Sequence, residues 1–425
     1  MRTSKNSALI LSGGGALGAY ELGVVKALVN GKSPATSPKH GEAPIPLDPP
    51  VLTGTSIGSF NAAYLVSQWD TYGAAAVGML EAIWLEQFAE NSCGNGGYRI
   101  RLNPLEVFNP LCFLKNPLQS LSQHVRDSAY IGWDMTQRLA HFASSGEPLL
   151  QRAIDLINIT TFISTSPWEQ VIKKNIDFDA LRKSTKSLSI ATTNWTTGQV
   201  RIFKKAEMSR ELGPKVIRAS SAIPGFYPPQ IMGTQEFVDG GVLMNTPLKP
   251  AIAAGGEILH VINMNAKILD VAITNPPSTM ETVYRQQLIG WAAALNRDIE
   301  RVASYNRAID ILEMNGVEIA EMDVPMFLDF LTRKLKTSTE LEAKFTFHEI
   351  MLAYSMLGKQ KKRLFAGKKE KQYKKLTIHR YYPAEPLGEM LSLLNLQAKF
   401  FKELFERGFD DAASHDCATC GCILP

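Results

Sequence analysis

The chain has 425 residues, 45% of them hydrophobic, and a formal net charge of +4 at pH 7. It is long and apolar enough to bury a large core, which excludes a disordered chain and predicts one large α/β domain or two smaller ones. The near balance of charge gives no support for a nucleic-acid partner. Five cysteines, an odd number, do not match the disulfide framework of a small secreted domain, so we expect a cytoplasmic protein.

The first apolar segment, residues 8–11, is followed at once by Ser12 and three glycines. It is too short for the apolar part of a secretory signal, and the chain has no uninterrupted run of about 18 apolar residues. We therefore predict neither a signal peptide nor a transmembrane helix, and any membrane contact would be peripheral. Residues 8–11 are interpreted as a buried strand.

A glycine-rich loop separates this strand from a helical pattern over residues 19–29. Gly13, Gly15 and Gly18 match the G-x-G-x-x-G spacing of dinucleotide-binding loops. That interpretation requires an acidic residue at the end of the next strand, whereas here the next strand leads into a serine motif. The alternative is an oxyanion hole, in which backbone N–H groups converge on the oxygen of a tetrahedral intermediate.

The serine motif is the feature around which the sequence is organised. An apolar run at residues 51–53 enters Gly54-Thr55-Ser56-Ile57-Gly58, a G-x-S-x-G pentapeptide followed by a helical pattern. Such a nucleophile elbow exposes the serine hydroxyl at a sharp turn, and the glycines remove side chains that would crowd it. On its own, the pentapeptide also fits an ordinary turn or helix-cap serine.

Residues 70–170 follow with a mixed, mainly helical pattern that glycines and prolines interrupt. Two interpretations are open, a cover that packs on the sheet and a lid that faces lipid. We favour the cover, because apolar residues at such breaks usually pack inward. The apolar residues in question are Leu105, Val107, Phe108, Leu111, Phe113 and Leu114.

Strand patterns resume downstream and lead to a candidate base. Residues 187–192 and 199–203 flank a Thr-Thr-Gly turn and predict a β-hairpin. A short strand at residues 236–238 then ends in Asp239-Gly240-Gly241. An aspartate at a strand end, followed by glycines that allow close backbone approach, is suited to serve Ser56 as a base. The same residues also fit an ordinary Asp-Gly turn.

These motifs, in this order, resemble those of the patatin-like phospholipase family over roughly residues 7–253. The matching segments are Gly13-Gly14-Gly15-Ala16-Leu17-Gly18, Gly54-Thr55-Ser56-Ile57-Gly58, Ala219-Ser220-Ser221-Ala222-Ile223-Pro224, and Asp239-Gly240-Gly241 with Asn245-Thr246-Pro247. The resemblance implies an α/β fold of three layers, α/β/α, with a mostly parallel central sheet and helical insertions. It also implies a lipid acyl hydrolase with a Ser–Asp catalytic dyad.

Carried over to this chain, the resemblance makes Ser56 the nucleophile and Asp239 the base. The implied oxyanion donors are Gly13, Gly14 and Gly15, and the glycines that support the motifs are Gly18, Gly54, Gly58, Gly240 and Gly241. The implied substrates are phospholipids or lysophospholipids, with neutral lipids or simple esters as the alternative, and no cofactor or metal is expected. One position departs from the family, because Leu17 stands where members usually carry Arg or Lys.

The resemblance weakens beyond residue 253, where a helical and basic insertion is expected at about 265–375. Its last part, residues 359–375, is strongly basic and is interpreted first as a solvated face. The alternative is docking to anionic lipid headgroups, at about 1 kcal/mol per surface Lys or Arg. A strand at 376–378 and a helix at 389–408 then close one catalytic domain over residues 7–413.

The last residues, 414–425, are expected to form a flexible tail. Cys417, Cys420 and Cys422 suggest metal binding, S-acylation or no role. A C-x-x-C pair without a second pair is weak evidence for zinc, so we predict no metal site. The terminal proline makes the last four residues a poor prenylation signal.

Two other functions stay open at this point. A Ser–His–Asp hydrolase would need His260, His348 or His379 as its base, since each follows Asp239 in the order of that fold. A protein that binds membranes without catalysis could also use the same scaffold. The intact Ser56, Asp239 and glycine loop argue against this last function.

Overall fold

The structure is a computed structural model that describes residues 6–37, 42–102, 117–156, 158–265, 279–321, 347–365 and 373–424, with positions 326 and 329. A mostly parallel β-sheet lies between two layers of helices. The strands are β1 Ser7–Leu11, β2 Val51–Thr55, β3 Arg99–Ile100, β4 Ile163–Ser164, β5 Ser187–Asn194, β6 Gln199–Lys204, β7 Gln230–Met232, β8 Gln235–Asp239, β9 Ile258–Ile262 and β10 Thr377–Tyr381.

The main sheet has the strand order β10-β9-β1-β2-β5-β8-β7, and β6 pairs with β5 outside this path. From β10 to β5 the strands are parallel, whereas β6, β7 and β8 pair antiparallel with their neighbours. The hairpin predicted from the Thr-Thr-Gly turn is β5 and β6. Because parallel strands end at the same edge, β1 and β2 deliver the glycine loop and Ser56 side by side.

The helices connect these strands and cover both faces of the sheet. They are α1 Gly18–Val29, α2 Ile57–Tyr72, α3 Ala75–Ile83, α4 Pro117–Ser144, α5 Leu149–Asp155, α6 Ser166–Asn175, α7 Phe178–Lys183, α8 Leu212–Ser220, α9 Leu248–Ala253, α10 Thr279–Glu321, α11 Phe347–Phe365, α12 Ala398–Ala413 and α13 Cys417–Cys420. No helix among the described segments combines the length and apolarity needed to span a bilayer.

The central strand β1 explains the layering. Leu9 and Leu11 join a core with α1, α2 and α12 on one face, whereas Ala8 and Ile10 join a second core with α9 and α10 on the other. Both faces of the strand are buried, which is why it is continuously apolar in sequence. The predicted three-layer α/β/α fold is confirmed.

The C-terminal region differs from the expected strand and single helix. A 3₁₀ turn, Met390–Leu394, precedes α12, and the chain between them is extended. The Leu396 carbonyl accepts a hydrogen bond from the Glu90 N–H at 2.7 Å, and Tyr98 donates to the Leu394 carbonyl at 3.4 Å. The Leu394 and Leu396 carbonyls therefore accept hydrogen bonds from residues 90 and 98, in place of the bonds that they would accept within a continuous helix.

Residues 414–424, expected as a flexible tail, form defined contacts. After α13, the backbone of Ile423 exchanges two hydrogen bonds with Ile378 of β10, at 2.8 and 2.9 Å. β10 is the outermost strand of the sheet, and such a strand presents backbone groups without partners. The chain end supplies those partners.

Two segments that were interpreted from the sequence, the apolar residues 105–114 and the basic run 359–375, lie wholly or partly outside the described residues. Leu105 to Leu114 and residues 366–372 of the basic run lie outside the described residues. At the end of that run, Lys374 pairs with Glu257 at 2.8 Å and Lys375 with Asp310 at 2.5 Å, so these two lysines are engaged within the protein. Cys93 is disulfide-bonded, whereas Cys417, Cys420 and Cys422 form no disulfide.

The packing of α1 on α12 gives a test of the layering. A Cβ added at Gly408 of α12 would lie 2.0 Å from the Tyr20 carbonyl oxygen of α1, whereas one added at Gly290 of α10 has no neighbour within 4 Å. We expect Gly408→Ala to lower the free energy of unfolding by about 1–3 kcal/mol through overpacking. Gly290→Ala is the matched control and should raise it by up to about 1 kcal/mol. Urea unfolding measures both, and equal effects would contradict this packing.

Candidate active site

Ser56 occupies a strained turn between β2 and α2. Its backbone has φ 53° and ψ −126°, a conformation that non-glycine residues rarely adopt and that costs about 1–3 kcal/mol. Ser59 contributes to holding the turn, because its N–H and its hydroxyl both donate to the Ser56 carbonyl, at 2.9 and 2.5 Å. This is the elbow that the pentapeptide predicts.

The glycines of the pentapeptide are needed for close backbone contact. A Cβ at Gly54 would lie 2.2 Å from the Gly58 carbonyl oxygen, and a Cβ at Gly58 would lie 2.5 Å from the Leu11 carbonyl oxygen. Both separations are far below van der Waals contact. The start of α2 can therefore pack against the ends of β1 and β2 only if both positions lack a side chain.

The Ala219–Pro224 motif restrains the same turn. The Ser56 N–H donates to the Ser220 hydroxyl at 2.9 Å, and that hydroxyl donates to the Ala191 carbonyl of β5 at 2.7 Å. Ser220 is fully buried at the end of α8. Ser220 therefore couples the Ser56 backbone to the neighbouring strand, a contact that the sequence motif alone did not identify.

Asp239 ends β8 and meets Ser56 in the same cavity. Burial raises the pKa of its carboxyl group to about 7, although hydrogen bonds from the Gly241 N–H, at 2.7 Å, and from the Ser56 side chain oppose the rise. The carboxyl group is therefore poised to exchange a proton with the serine near neutral pH. A Cβ at Gly240 would lie 2.3 Å from the Ala191 carbonyl oxygen, so this glycine allows β8 to approach β5.

The glycine loop lies beside Ser56, but its three predicted N–H donors differ in whether they already donate to a protein acceptor. The Gly13 N–H donates to the Asn245 carbonyl at 3.2 Å, and the Asn245 amide donates back to the Gly13 carbonyl at 3.2 Å. Gly14 and Gly15 line the cavity, and in the described part of the chain their N–H groups donate to no protein acceptor. Of the three glycines, Gly14 and Gly15 therefore have N–H groups that face the cavity without a protein acceptor among the described residues.

Several residues that support this loop were not identified from the sequence. Glu21 of α1 is fully buried, and burial raises the pKa of its carboxyl group well above 4.5. Asn61 donates to Glu21 at 2.9 Å, and the Ser12 backbone also bonds to it. Leu17, at the position that is usually basic in the family, is a buried core residue, so the loop carries no charge there.

Two cavities meet at Ser56. The first, with a volume of about 350 Å³, contains Asp239 and is lined in part by Tyr284 and Trp291 of α10. The second, with a volume of about 60 Å³, is lined mainly by aromatic and aliphatic side chains, including Trp84, Phe88 and Trp168. Leu393 of the 3₁₀ turn lies between them and lines both. The site therefore offers one apolar and one mixed compartment on the two sides of the nucleophile.

The geometry weakens two of the alternatives. Among the described residues that line the two cavities there is no histidine, and His260 and His379 lie within β9 and β10 instead. β2 ends at Thr55 and is followed by Ser56, without the acidic residue that dinucleotide binding requires. Gly18 serves packing, since a Cβ there would lie 2.7 Å from Ile57.

The buried state of Asp239 predicts a dependence of stability on pH. The unfolded chain ionises this group from about pH 4, whereas the folded protein does so only near pH 7, so ionisation lowers the free energy of unfolding across that window. We expect Asp239→Asn to raise the free energy of unfolding by up to about 4 kcal/mol at pH 8 and by much less at pH 4. Urea titrations at both pH values measure the difference.

Asp70 provides a control of the opposite sign. There, burial is outweighed by hydrogen bonds from Thr185, and the pKa of the carboxyl group is lowered. Asp70→Asn should therefore lose more stability at pH 8 than at pH 4. A stabilising effect of Asp239→Asn that is equal at the two pH values would contradict the shifted pKa.

Comparison with known proteins places this site in a family. The family model described as patatin-like phospholipase matches residues 9–252, more than half of the chain. The crystal structure of VipD from Legionella pneumophila is similar over 97% of this chain and 67% of that chain, with 14% sequence identity and a TM-score of 0.33. No curated protein matches the sequence. The chain belongs to the patatin-like phospholipase family, a family of lipid acyl hydrolases.

Proposed function

We propose that the protein hydrolyses acyl esters of lipids through a Ser56–Asp239 dyad. The observation that carries this proposal is the buried Asp239 carboxyl group in the same cavity as a serine that occupies a strained elbow. The Ser56 oxygen attacks the acyl carbonyl as its proton moves to Asp239, and the Gly14 and Gly15 N–H groups bind the oxyanion. Collapse of the intermediate expels the alcohol, which takes up the proton from Asp239, and leaves an acyl-enzyme.

The second half of the reaction uses the same groups. A water gives its proton to Asp239 and attacks the acyl-enzyme, and the proton then returns to Ser56 as the fatty acid leaves. An ordinary aspartate is a weak base at neutral pH. Burial raises the pKa of Asp239 to about 7, which brings its basicity closer to that of the imidazole used in other serine hydrolases.

The two cavities suggest how a substrate lies in the site. The compartment lined by Trp84, Phe88 and Trp168 suits an acyl chain, because burying each methylene contributes about 0.8 kcal/mol. The mixed compartment, which contains Asp239, then receives the alcohol portion and the attacking water. This arrangement supports a phospholipase A or a lysophospholipase activity.

One observation favours hydrolysis of uncharged esters as a second candidate. No Arg or Lys is among the described residues that line either cavity, and Leu17 leaves the glycine loop without its usual charge. A phosphate group would therefore gain no ion pair from these residues. Phospholipid and diacylglycerol of the same acyl composition, compared in the same mixed micelles, distinguish the two candidates.

The dyad is tested by three variants assayed on those micelles. We expect Ser56→Ala and Asp239→Asn each to lower kcat by at least about 10³-fold, because each removes a member of one proton-transfer unit. Wild-type kcat/KM should rise with pH through about 7, as Asp239 ionises. The control is His348→Ala, at an exposed position of α11, which should keep its activity. A folded Asp239→Asn variant with wild-type turnover would refute the dyad.

The acyl compartment is tested at Ser221, which lines it beside Ile223. Ser221→Leu adds volume inside the compartment and should lower kcat/KM for hexadecanoyl esters by about 10-fold or more. Turnover of butanoyl esters should change by less than about 3-fold, because a short chain leaves the added volume unoccupied. Equal losses for both chain lengths would place the acyl chain elsewhere.

A further inference from the structure

Four side chains with metal-binding atoms converge on the outer edge of the sheet. His379 lies in the middle of β10, and His415, Cys417 and Cys422 follow α12. The Nδ1 of His379, the Nε2 of His415 and the two Sγ atoms all lie within 4.8 Å of one another. None of these residues takes part in the chemistry at Ser56.

The separations match a tetrahedral ion. The Cys417 Sγ lies 3.4 Å from the His379 Nδ1 and 3.6 Å from the His415 Nε2, and the Cys422 Sγ lies 3.4 Å from the same His415 atom. Zinc binds histidine nitrogen at about 2.0–2.1 Å and thiolate sulfur at about 2.3 Å, so a tetrahedral ion separates N and S ligands by about 3.6 Å. Two nitrogen and two sulfur ligands in this geometry favour Zn²⁺ over harder cations.

The local fold aims the two thiols at one point. Gly421 has φ 65° and ends α13, and the chain then returns so that the Cys422 N–H donates to the Cys417 carbonyl at 2.9 Å. The Arg380 N–H of β10 donates to the Cys422 Sγ at 3.4 Å. Such N–H donors stabilise a metal-bound thiolate. Cys420, in the same helical turn, is outside the cluster.

The surroundings of the cluster fix its histidines. The His260 ring of β9 stacks on His379 with a centroid distance of 5.2 Å, and the Tyr381 ring lies 4.6 Å from that of His415.

We propose that His379, His415, Cys417 and Cys422 bind one Zn²⁺ ion as a structural site. Four protein ligands leave no position for a substrate, which distinguishes such a site from a catalytic one. The sequence predicts no metal here, because C-x-x-C lacks a second pair. The structure assigns a different set, in which Cys420 is not a ligand and His379 comes from the sheet.

The proposed ion ties together two parts of the chain that flank the active site. Its ligands lie on β10 and after α12, and the segment between them carries Leu393 and Leu396, which line the acyl compartment. Zinc would therefore anchor both ends of this segment and hold the chain terminus on the sheet edge. Removal of the ion should lower Tm and loosen residues 382–424 before the rest of the domain.

The test is metal analysis of the full chain, purified without a histidine tag from cells grown with added zinc. We expect about one zinc per chain in the wild type and in Cys420→Ser, the matched control. Cys417→Ser, Cys422→Ser and His415→Ala should each retain less than about a fifth of that zinc. Folded wild type with no zinc, or equal loss from Cys420→Ser, would overturn the assignment.

Cobalt keeps the test decisive if the variants fail to fold. Wild type stripped with a chelator and loaded with Co²⁺ should show the intense visible bands of a tetrahedral ion and thiolate-to-cobalt charge transfer. A pale octahedral spectrum would overturn the proposal, as would a disulfide between Cys417 and Cys422 in protein kept in zinc. Neither readout depends on ester hydrolysis, so the metal site and the Ser56–Asp239 dyad are tested independently of each other.

Discussion

The active site depends on the close contact between the start of α2 and the ends of β1 and β2. This contact leaves no room for side chains at Gly54 and Gly58, and it forces Ser56 into a left-handed backbone conformation. A strained backbone conformation of this kind persists only where several surrounding contacts hold the residue in it. Here Ser59 holds the Ser56 carbonyl and Ser220 holds its N–H, so each side of the turn has a buried partner. These bonds hold the backbone of the turn in place, while Ser56 lines both cavities.

The burial of Asp239 determines the acid–base behaviour of its carboxyl group. Asp239 lies where β8 pairs antiparallel with β5, and it lines the cavity with only 6% of its surface exposed. A carboxylate in such a place is costly, and this cost is what raises its pKa toward neutrality. The Gly241 N–H limits this rise in pKa and binds one carboxylate oxygen. Under the proposed mechanism, the burial that makes Asp239 a stronger base is also the burial that makes its ionised form destabilising.

The sequence predicts most of the candidate site because each of its parts is a local segment. The elbow, the glycine loop and the Asp-Gly-Gly turn are each short segments whose residue types are dictated by their own backbone contacts. The remaining parts come from residues far apart in the chain. Asn245 occupies the Gly13 N–H, and Trp291 donates to the Gly241 carbonyl from a helix that the family resemblance does not reach. No local pattern encodes such pairings, so only the folded structure shows which N–H groups of the glycine loop lack a protein acceptor among the described residues.

The cysteine-rich segment, residues 414–424, is a second case in which the sequence does not reveal contacts between residues that are far apart in the chain. A zinc site is recognised from sequence when its ligands come in two close pairs, as in C-x-x-C repeats. In this chain the C-x-x-C pair, Cys417 and Cys420, lies within a single helical turn. Only Cys417 of this pair belongs to the cluster of metal-binding side chains. The other ligands depend on the parallel sheet, which places His379 at its edge, and on α12, which returns the chain to that edge. A site whose ligands are brought together by the arrangement of strands and helices can be identified only when the fold is known. The proposed site lies beside the edge strand β10, and it would hold the segment that pairs with this strand.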